Sequence, residues 1–145
     1  MRIQFYLLTF ISFVCNGQSN LNVDIHCKLL SDALNNVTTK REFFLCKDDT
    51  KFILFDKTGH FELCNSLEVC NKPIVQVFNE EYKEYHPNKY QFWNMQSLLI
   101  IYRYDIEDKT NTLYIWRPYS GGNVILTFEI KNDNIEAVNT QFGSF

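Results

Sequence analysis

Four strand-like runs in the C-terminal half of the chain constrain its fold more than any other sequence feature. The runs are Leu98 to Asp105, Thr112 to Arg117, Asn123 to Lys131 and Asn134 to Val138. Apolar and polar side chains alternate along them, which is the pattern of strands with one buried face. Because short polar or glycine-containing segments separate the runs, the sequence predicts an antiparallel meander.

One pairing register gives this meander a single apolar and aromatic face. The predicted pairs are Ile100 with Trp116, Tyr102 with Tyr114, Tyr104 with Thr112, Trp116 with Val124, Tyr114 with Leu126, Thr112 with Phe128, Phe128 with Ala137, and Ile130 with Ile135. The other face is predicted to meet solvent and carries Arg103, Arg117, Thr127, Glu129, Lys131 and Glu136. A shift by one residue would move every side chain of a strand to the opposite face, so the register also predicts burial.

The N-terminal half is predicted to contain one helix and further strands. Apolar residues recur at helical spacing between Asn22 and Val37, with Asn22 as the predicted N-cap. The predicted strands are Glu42 to Cys46, Lys51 to Phe55, His60 to Cys64 and Ile74 to Phe78. The predicted fold class is therefore α+β and mainly β. An N-terminal helix packs on an antiparallel meander sheet of about seven or eight strands, open or barrel-like, with two disulfides.

The first residues are typical of an export signal. Arg2 is followed by an apolar run, Ile3 to Val14, and then by the polar segment Cys15 to Ser19. A positive start, an apolar stretch and a polar exit predict a signal peptide, whereas a membrane span needs about 20 apolar residues. The predicted organisation is a signal peptide over residues 1–17 and a single globular domain over residues 18–145. The predicted location is secreted, periplasmic or in the cell envelope.

The junction around Cys15 leaves a second way of processing open. The segment Ile11 to Gly17 resembles the lipobox of bacterial lipoproteins, in which a cysteine is acylated and becomes the mature N-terminus. Val14 departs from that pattern, because Gly, Ala or Ser normally precedes the cysteine. The alternative organisation is a lipoprotein signal over residues 1–14 with acylated Cys15. This lipid anchor is the only membrane contact that the sequence predicts.

The cysteines after Cys15 predict a disulfide framework. They are Cys27, Cys46, Cys64 and Cys70, an even number in an exported chain. Cys64 and Cys70 are the predicted pair because the segment between them is long enough to turn and return. By elimination, Cys27 is predicted to join Cys46. No Cys-x-x-Cys spacing of a zinc site occurs, and no metal is predicted.

Charge and motifs exclude several classes of function. The formal net charge of −3 gives no broad basic surface, so no nucleic-acid partner is predicted. The sequence contains no nucleophile elbow, phosphate-binding loop or zinc-protease motif, and neither a catalytic residue nor a cofactor is predicted. His26, His60 and His86 are interpreted as packing or solvated histidines, and Asp48-Asp49 and Glu80-Glu81 as solvated turns.

The segment Asn79 to Trp93 is the predicted binding surface. It joins two predicted strands, is longer than a usual connection, and mixes Tyr and Trp with charged residues. The predicted contact residues are Tyr82, Tyr85, His86, Tyr90 and Trp93. The alternative is that its aromatic rings cover one end of the core.

The sequence favours a small exported protein that binds another protein, such as an inhibitor or an immunity-type factor. Two alternatives remain. One is a small secreted hydrolase whose carboxylate and histidine meet only in the fold, and the other is a structural component of the cell envelope. A cleft that holds His60 or His86 beside Asp or Glu would indicate the enzyme.

Overall fold

A computed structural model of the chain describes residues 17–47, 52–77, 97–131 and 134–144, with side chains from Ile25 onward. Two helices come first, α1 (Gly17–Asn35) and α2 (Val37–Glu42). The strands that follow are β1 (Ile53–Asp56), β2 (Glu68–Val69), β3 (Lys72–Pro73), β4 (Val75–Val77), β5 (Leu98–Ile106), β6 (Thr110–Arg117), β7 (Gly122–Lys131) and β8 (Asn134–Ser144). A short 3-10 helix, Pro118–Ser120, joins β6 to β7. The described part of the chain is mainly β.

Most of the strands form one mixed sheet. Its order is β4-β1-β5-β6-β7-β8, so β4 and β8 are the edges, and β2 and β3 form a separate antiparallel ribbon. β1 runs parallel to both β4 and β5, whereas β5 to β8 are each antiparallel to the next strand. The predicted antiparallel sheet of about seven or eight strands is therefore wrong in two respects, because β1 pairs in parallel and the main sheet has six strands. A long connection between β1 and β5 returns the chain to the same end of the sheet, as a parallel pair requires.

The two faces of the sheet carry separate apolar clusters. The larger cluster joins Leu29, Leu30, Ala33 and Leu34 of α1 to Leu54, Leu99, Ile101, Tyr104, Leu113, Ile115, Val124, Leu126 and Phe128 of the sheet. The face with this cluster is called the helix side below. On the opposite face, Ile53, Phe55, Val77, Leu98 and Ile100 form the smaller cluster. Every residue of β1 is buried, as is typical of a strand covered on both faces.

The predicted register is right between some strands and wrong between β6 and β7. Ile100 lies opposite Trp116, and Ile130 opposite Ile135, as predicted. However, Leu113 rather than Tyr114 lies opposite Leu126. The cause is the turn after Arg117. Gly121 follows the 3-10 helix as its C-cap, and its φ of +66° closes the hairpin one residue earlier than predicted.

This one-residue shift divides the predicted aromatic face between the two sides of the sheet. Leu113 and Ile115 are buried on the helix side, while Trp116 packs against the smaller cluster on the other side. A register irregularity at Tyr102 also places Tyr104 opposite Leu113 instead of Thr112.

Arg117 is buried, although the sequence predicts it on the solvent face. Its Nη1 donates a hydrogen bond to the carbonyl oxygen of Phe43, and its guanidinium carbon lies 5.8 Å from the centroid of the Phe52 ring. Burial lowers the pKa of Arg117, and the nearby Tyr119 opposes part of this shift. The side chain therefore connects the end of β6 to the turn after α2.

Two disulfides are present, but the predicted pairing is wrong. Cys27 bonds to Cys64 and Cys46 to Cys70, with Cα–Cα distances of 5.1 Å and 5.5 Å. Cys64 follows a turn that lies against α1, and Cys70 sits in the β2–β3 turn with a φ of +52°. The two cysteines that are closest in sequence therefore bond to different segments, Cys64 to α1 and Cys70 to the turn after α2.

Three predictions for the N-terminal half are wrong. Asn22 is not an N-cap, because α1 begins at Gly17. The predicted strand Glu42 to Cys46 is the end of α2 followed by a turn, because Asn36 caps a second helix by accepting a hydrogen bond from the Thr38 amide at 2.9 Å. The predicted strand His60 to Cys64 is also a turn and coil.

Candidate functional site

The predicted binding residues lie outside the described part of the structure. They are Tyr82, Tyr85, His86, Tyr90 and Trp93. Their role stays a prediction. Two other groups of side chains among the described residues could carry chemistry. One joins α1 to β5, which are far apart in the sequence, and the other lies within a single short segment at the end of α2.

The first group is the histidine–tyrosine cluster, which consists of His26, His60, Phe61 and Tyr104. His26 Nδ1 of α1 lies 2.9 Å from the Tyr104 hydroxyl of β5, and the two rings meet edge to face at 5.6 Å between centroids. The Phe61 ring packs 5.0 Å from that of Tyr104. Tyr104 is buried and His26 half-buried. The hydroxyl therefore has a hydrogen-bond partner, as a buried tyrosine requires.

A turn around a buried carboxylate brings His60 to this cluster. Asp56 Oδ1 accepts hydrogen bonds from the Thr58 amide at 2.8 Å and the Thr58 hydroxyl at 2.6 Å. Asp56 Oδ2 accepts one from the Phe61 amide at 3.0 Å. The chain thus wraps around Asp56 instead of extending as a strand. The His60 ring lies 5.3 Å from that of Tyr104 and 6.3 Å from that of His26, centroid to centroid.

The environment of the cluster favours the neutral forms of His26 and Tyr104. Burial lowers the pKa of His26, and His60 lowers it further. Burial also raises the pKa of Tyr104 well above its usual range. Within the described ranges, neither His26 nor His60 makes a side-chain hydrogen bond or ion pair with a carboxylate. The arrangement holds its rings together but lacks the carboxylate–histidine pair of the hydrolase alternative.

The lowered pKa of His26 gives an expected pH dependence. Folded His26 takes up a proton less readily than unfolded His26, whose ordinary pKa is 6.5. Its contribution to stability is therefore complete above pH 6.5 and is lost as the pH falls from there through the folded pKa. Thermal melts from about pH 8 to about pH 5 should show a steeper fall in Tm for the wild type than for His26→Gln. An equal fall in Tm with pH for the two proteins would contradict the lowered pKa of His26.

The second group is the basic–aromatic patch, which consists of Lys40, Arg41, Phe44 and Lys47. With Cys46 these residues line a shallow groove at the end of α2. The Phe44 side chain is 50% exposed, and Lys47 Nζ lies 4.8 Å from the centroid of its ring. Such a cation over an exposed aromatic face contributes roughly 0.5–1 kcal/mol. The patch therefore presents an apolar ring within a cationic border.

Local backbone geometry holds Phe44 outward. Its φ of +52° is left-handed, a conformation that is uncommon for an aromatic residue. The Phe44 amide donates to the Arg41 carbonyl at 3.2 Å, and the adjacent Phe43 is fully buried. Cys46 is bonded to Cys70, so the end of this turn is attached to the β2–β3 ribbon. The turn places one phenylalanine in the core and the next one in solvent.

Helix electrostatics explain only part of the patch. Lys40 and Arg41 occupy the last turn of α2, where cations interact favourably with the helix dipole. Arg41 also pairs with Glu42 at 2.6 Å, and exposed pairs of this kind contribute little. Neither effect requires an exposed Phe44. Asp48 and Asp49 follow Lys47 in the sequence and lie outside the described residues.

The described residues contain neither a cluster of metal ligands nor a membrane-spanning helix. No three His, Cys, Asp or Glu side chains in those ranges lie close enough to hold a metal ion. Neither α1 nor α2 is long and apolar enough to cross a membrane.

None of the protein-family models, curated proteins and solved structures compared with the chain matches it. The residues of the chain itself are therefore the basis for a functional proposal.

Sequence reasoning missed both groups, for different reasons. The patch was missed because the sequence predicts a strand from Glu42 to Cys46, whereas this segment is the end of α2 followed by a turn. The signal that could have revealed it is Asn36, an N-cap residue followed by Lys40, Arg41 and Glu42, which favour helices. The contact between His26 and Tyr104 carries no such local signal, because it depends on how α1 crosses the sheet.

Proposed function

We propose that this chain is an exported, non-enzymatic protein that binds another protein through the basic–aromatic patch. The observation that carries the proposal is the half-exposed Phe44 ring, which the backbone holds outward among Lys40, Arg41 and Lys47. Aromatic residues and Arg are enriched at protein interfaces, where a few of them supply most of the binding energy. An inhibitor or an immunity-type factor would use a surface of this kind.

Two features support export. The segment Arg2 to Val14 has the composition of a signal, with either cleavage after Gly17 or acylation of Cys15 as the processing step. The disulfides Cys27–Cys64 and Cys46–Cys70 are typical of an oxidising compartment.

The charges of the patch define the surface that would complement it. Lys40, Arg41 and Lys47 border the groove, and the Glu42 carboxylate pairs with Arg41. A partner with carboxylates around an apolar pocket would match both the cations and the Phe44 ring. Opposite charge at the border of an interface speeds association and sets orientation, while the buried ring contributes affinity.

The proposal is tested by capture with matched variants. The immobilised mature chain is incubated with extracellular material from its host, and captured proteins are quantified by mass spectrometry. One specific protein should be retained by the wild type and reduced about tenfold or more by Phe44→Asn or by Lys40→Glu with Lys47→Glu. Asn is chosen because it tolerates the left-handed backbone. Ile106→Asn at the end of β5 and Lys109→Glu in the β5–β6 turn change exposed residues; they are the controls and should bind like the wild type.

Three outcomes would overturn the patch as the binding site. Equal capture by all variants would exclude it. Loss of capture with Trp93→Ala but not with Phe44→Asn would move the contact to the predicted loop. Patch-dependent binding of the wild type to anionic phospholipid vesicles, with no protein captured, would indicate a lipid surface instead.

A further inference from the structure

β8 is a long edge strand with unusual exposure. It covers 11 residues, Asn134–Ser144, and pairs along one side with β7. In the described part of the chain, no strand pairs with its other side. All of its residues except Ile135 and Thr140 are exposed, including Val138 and Phe142, each 48% exposed. The free side of such a strand presents backbone N–H and C=O groups at alternate residues.

β8 carries few of the features that prevent edge pairing. Edge strands are usually protected by Lys, Pro, β-bulges, inward charges or short length. β8 contains neither Lys nor Pro, and Glu136 is its only charged residue. Its one irregularity is a bulge at Val138, between the pairs Phe128–Ala137 and Thr127–Asn139. The strand therefore remains open to another strand, with a bulge near its centre.

The bulge decides which β8 residues share a face. Ala137 and Phe142 lie opposite Phe128 and Val124, which are buried on the helix side. Ile135 packs against the same cluster. The other face carries Glu136 and Gln141, which lie opposite Glu129 and Ile125. Residues with odd numbers face the helix side before the bulge, and residues with even numbers face it after the bulge.

We propose that β8 pairs antiparallel with β8 of a second copy about a two-fold axis. In such a pair, residues directly opposite each other share a face of the joined sheet. In the longest register in which opposite residues share a face in both halves of the strand, the pairing runs from Asn134 to Gly143. The two-fold axis of this register lies at the bulge. It pairs Ile135 with Phe142, Glu136 with Gln141, and Ala137 with Thr140.

The side chains of this register complement each other. Ile135 and Phe142 form an apolar pair on the helix side at both ends of the interface. Glu136 faces a neutral Gln141, whereas a parallel pair in register would place Glu136 against itself and repel. A two-fold interface uses the free edge of each copy and closes on itself, so it ends at a dimer. The dimer goes beyond the proposed function and does not depend on it.

Sedimentation of the mature chain over a range of concentrations tests the proposal. The wild type should show a monomer–dimer equilibrium. Gln141→Glu places two carboxylate pairs in opposition and should raise the dimer Kd about 2- to 30-fold, and Gln141→Lys should lower it by a similar factor. Lys109→Gln and Asp108→Asn change the net charge by the same amounts at the exposed β5–β6 turn, and both should leave the Kd unchanged.

A charge exchange tests the register itself. Glu136→Lys combined with Gln141→Glu restores opposite charges across the interface and should return the Kd to the wild-type value or below it. A wild type that stays monomeric at all concentrations, with cooperative melting that shows it is folded, would overturn the proposal. So would Gln141→Glu and Gln141→Lys changing the Kd in the same direction, or a double variant that fails to restore dimerisation.

Discussion

Replacing Cys27 and Cys64 by alanine is expected to lower the free energy of unfolding by about 4 kcal/mol. The disulfide joins residues 37 positions apart, and closing a loop of that length restricts the unfolded chain by about this amount. It also connects α1 to the segment that follows the turn around Asp56. Urea unfolding of the double variant against the wild type measures the loss.

The second disulfide provides the comparison and a test of pairing. Replacing Cys46 and Cys70, which are 24 positions apart, should cost about 3.5 kcal/mol. Because the two loops overlap, the two losses are not expected to add. Loss of the Cys27–Cys64 bond should also expose no new free thiol, since Cys46 remains bonded to Cys70. Two new thiols in the purified variant would indicate the pairing that the sequence predicts.

Local alternation predicted the C-terminal strands well. Each of the four runs corresponds to one of the strands β5 to β8, and the pairs Phe128–Ala137 and Ile130–Ile135 are present. Alternation is a property of a single strand, and it survives in the folded chain because each strand has two different faces. It does not say which face of one strand continues the face of the next.

Which face of one strand continues into the next depends on the turn between them, and a few residues determine that turn. Gly121 closes the β6–β7 hairpin one residue early, so Trp116 lies on the face opposite to that of Leu126, and Arg117 is buried. The buried Arg117 has a hydrogen bond to Phe43 and lies against Phe52, so its burial is compensated by contacts from distant segments. No rule based on neighbouring residues would place a cation there.

The N-terminal half was harder to predict because side chains redirect its backbone. Asn36 begins α2 and Asp56 closes a turn, and each does so through hydrogen bonds to nearby amides. The segments that follow these two residues, Glu42 to Cys46 and His60 to Cys64, have the apolar content of strands. The contact of His26 with Tyr104 depends on these turns and on the disulfides, so it could not be predicted before the fold was known, whereas the Asn36 N-cap is a local signal for the helix and turn that carry Phe44.

Truncation of the helix-side core is the second change with a large expected effect. Phe128→Ala should lower the free energy of unfolding by about 3–5 kcal/mol and Leu113→Ala by about 2–5 kcal/mol, because both side chains are buried in the larger apolar cluster. These losses are large against the 5–15 kcal/mol that stabilises a typical protein. Glu129→Ala should change stability by no more than about 0.5 kcal/mol.

The comparison of Leu113 with Tyr114 decides between the two registers. In the structure, Leu113 lies opposite Leu126 in the core. Tyr114 is half-buried on the other face, between Tyr102 and the Arg103 guanidinium, and these ring contacts contribute about 1 kcal/mol. Leu113→Ala should therefore destabilise the protein more than Tyr114→Ala does, as measured by urea unfolding. If Tyr114→Ala were the more harmful change, β6 would present its aromatic residues to the helices, and the register predicted from the sequence would be the correct one.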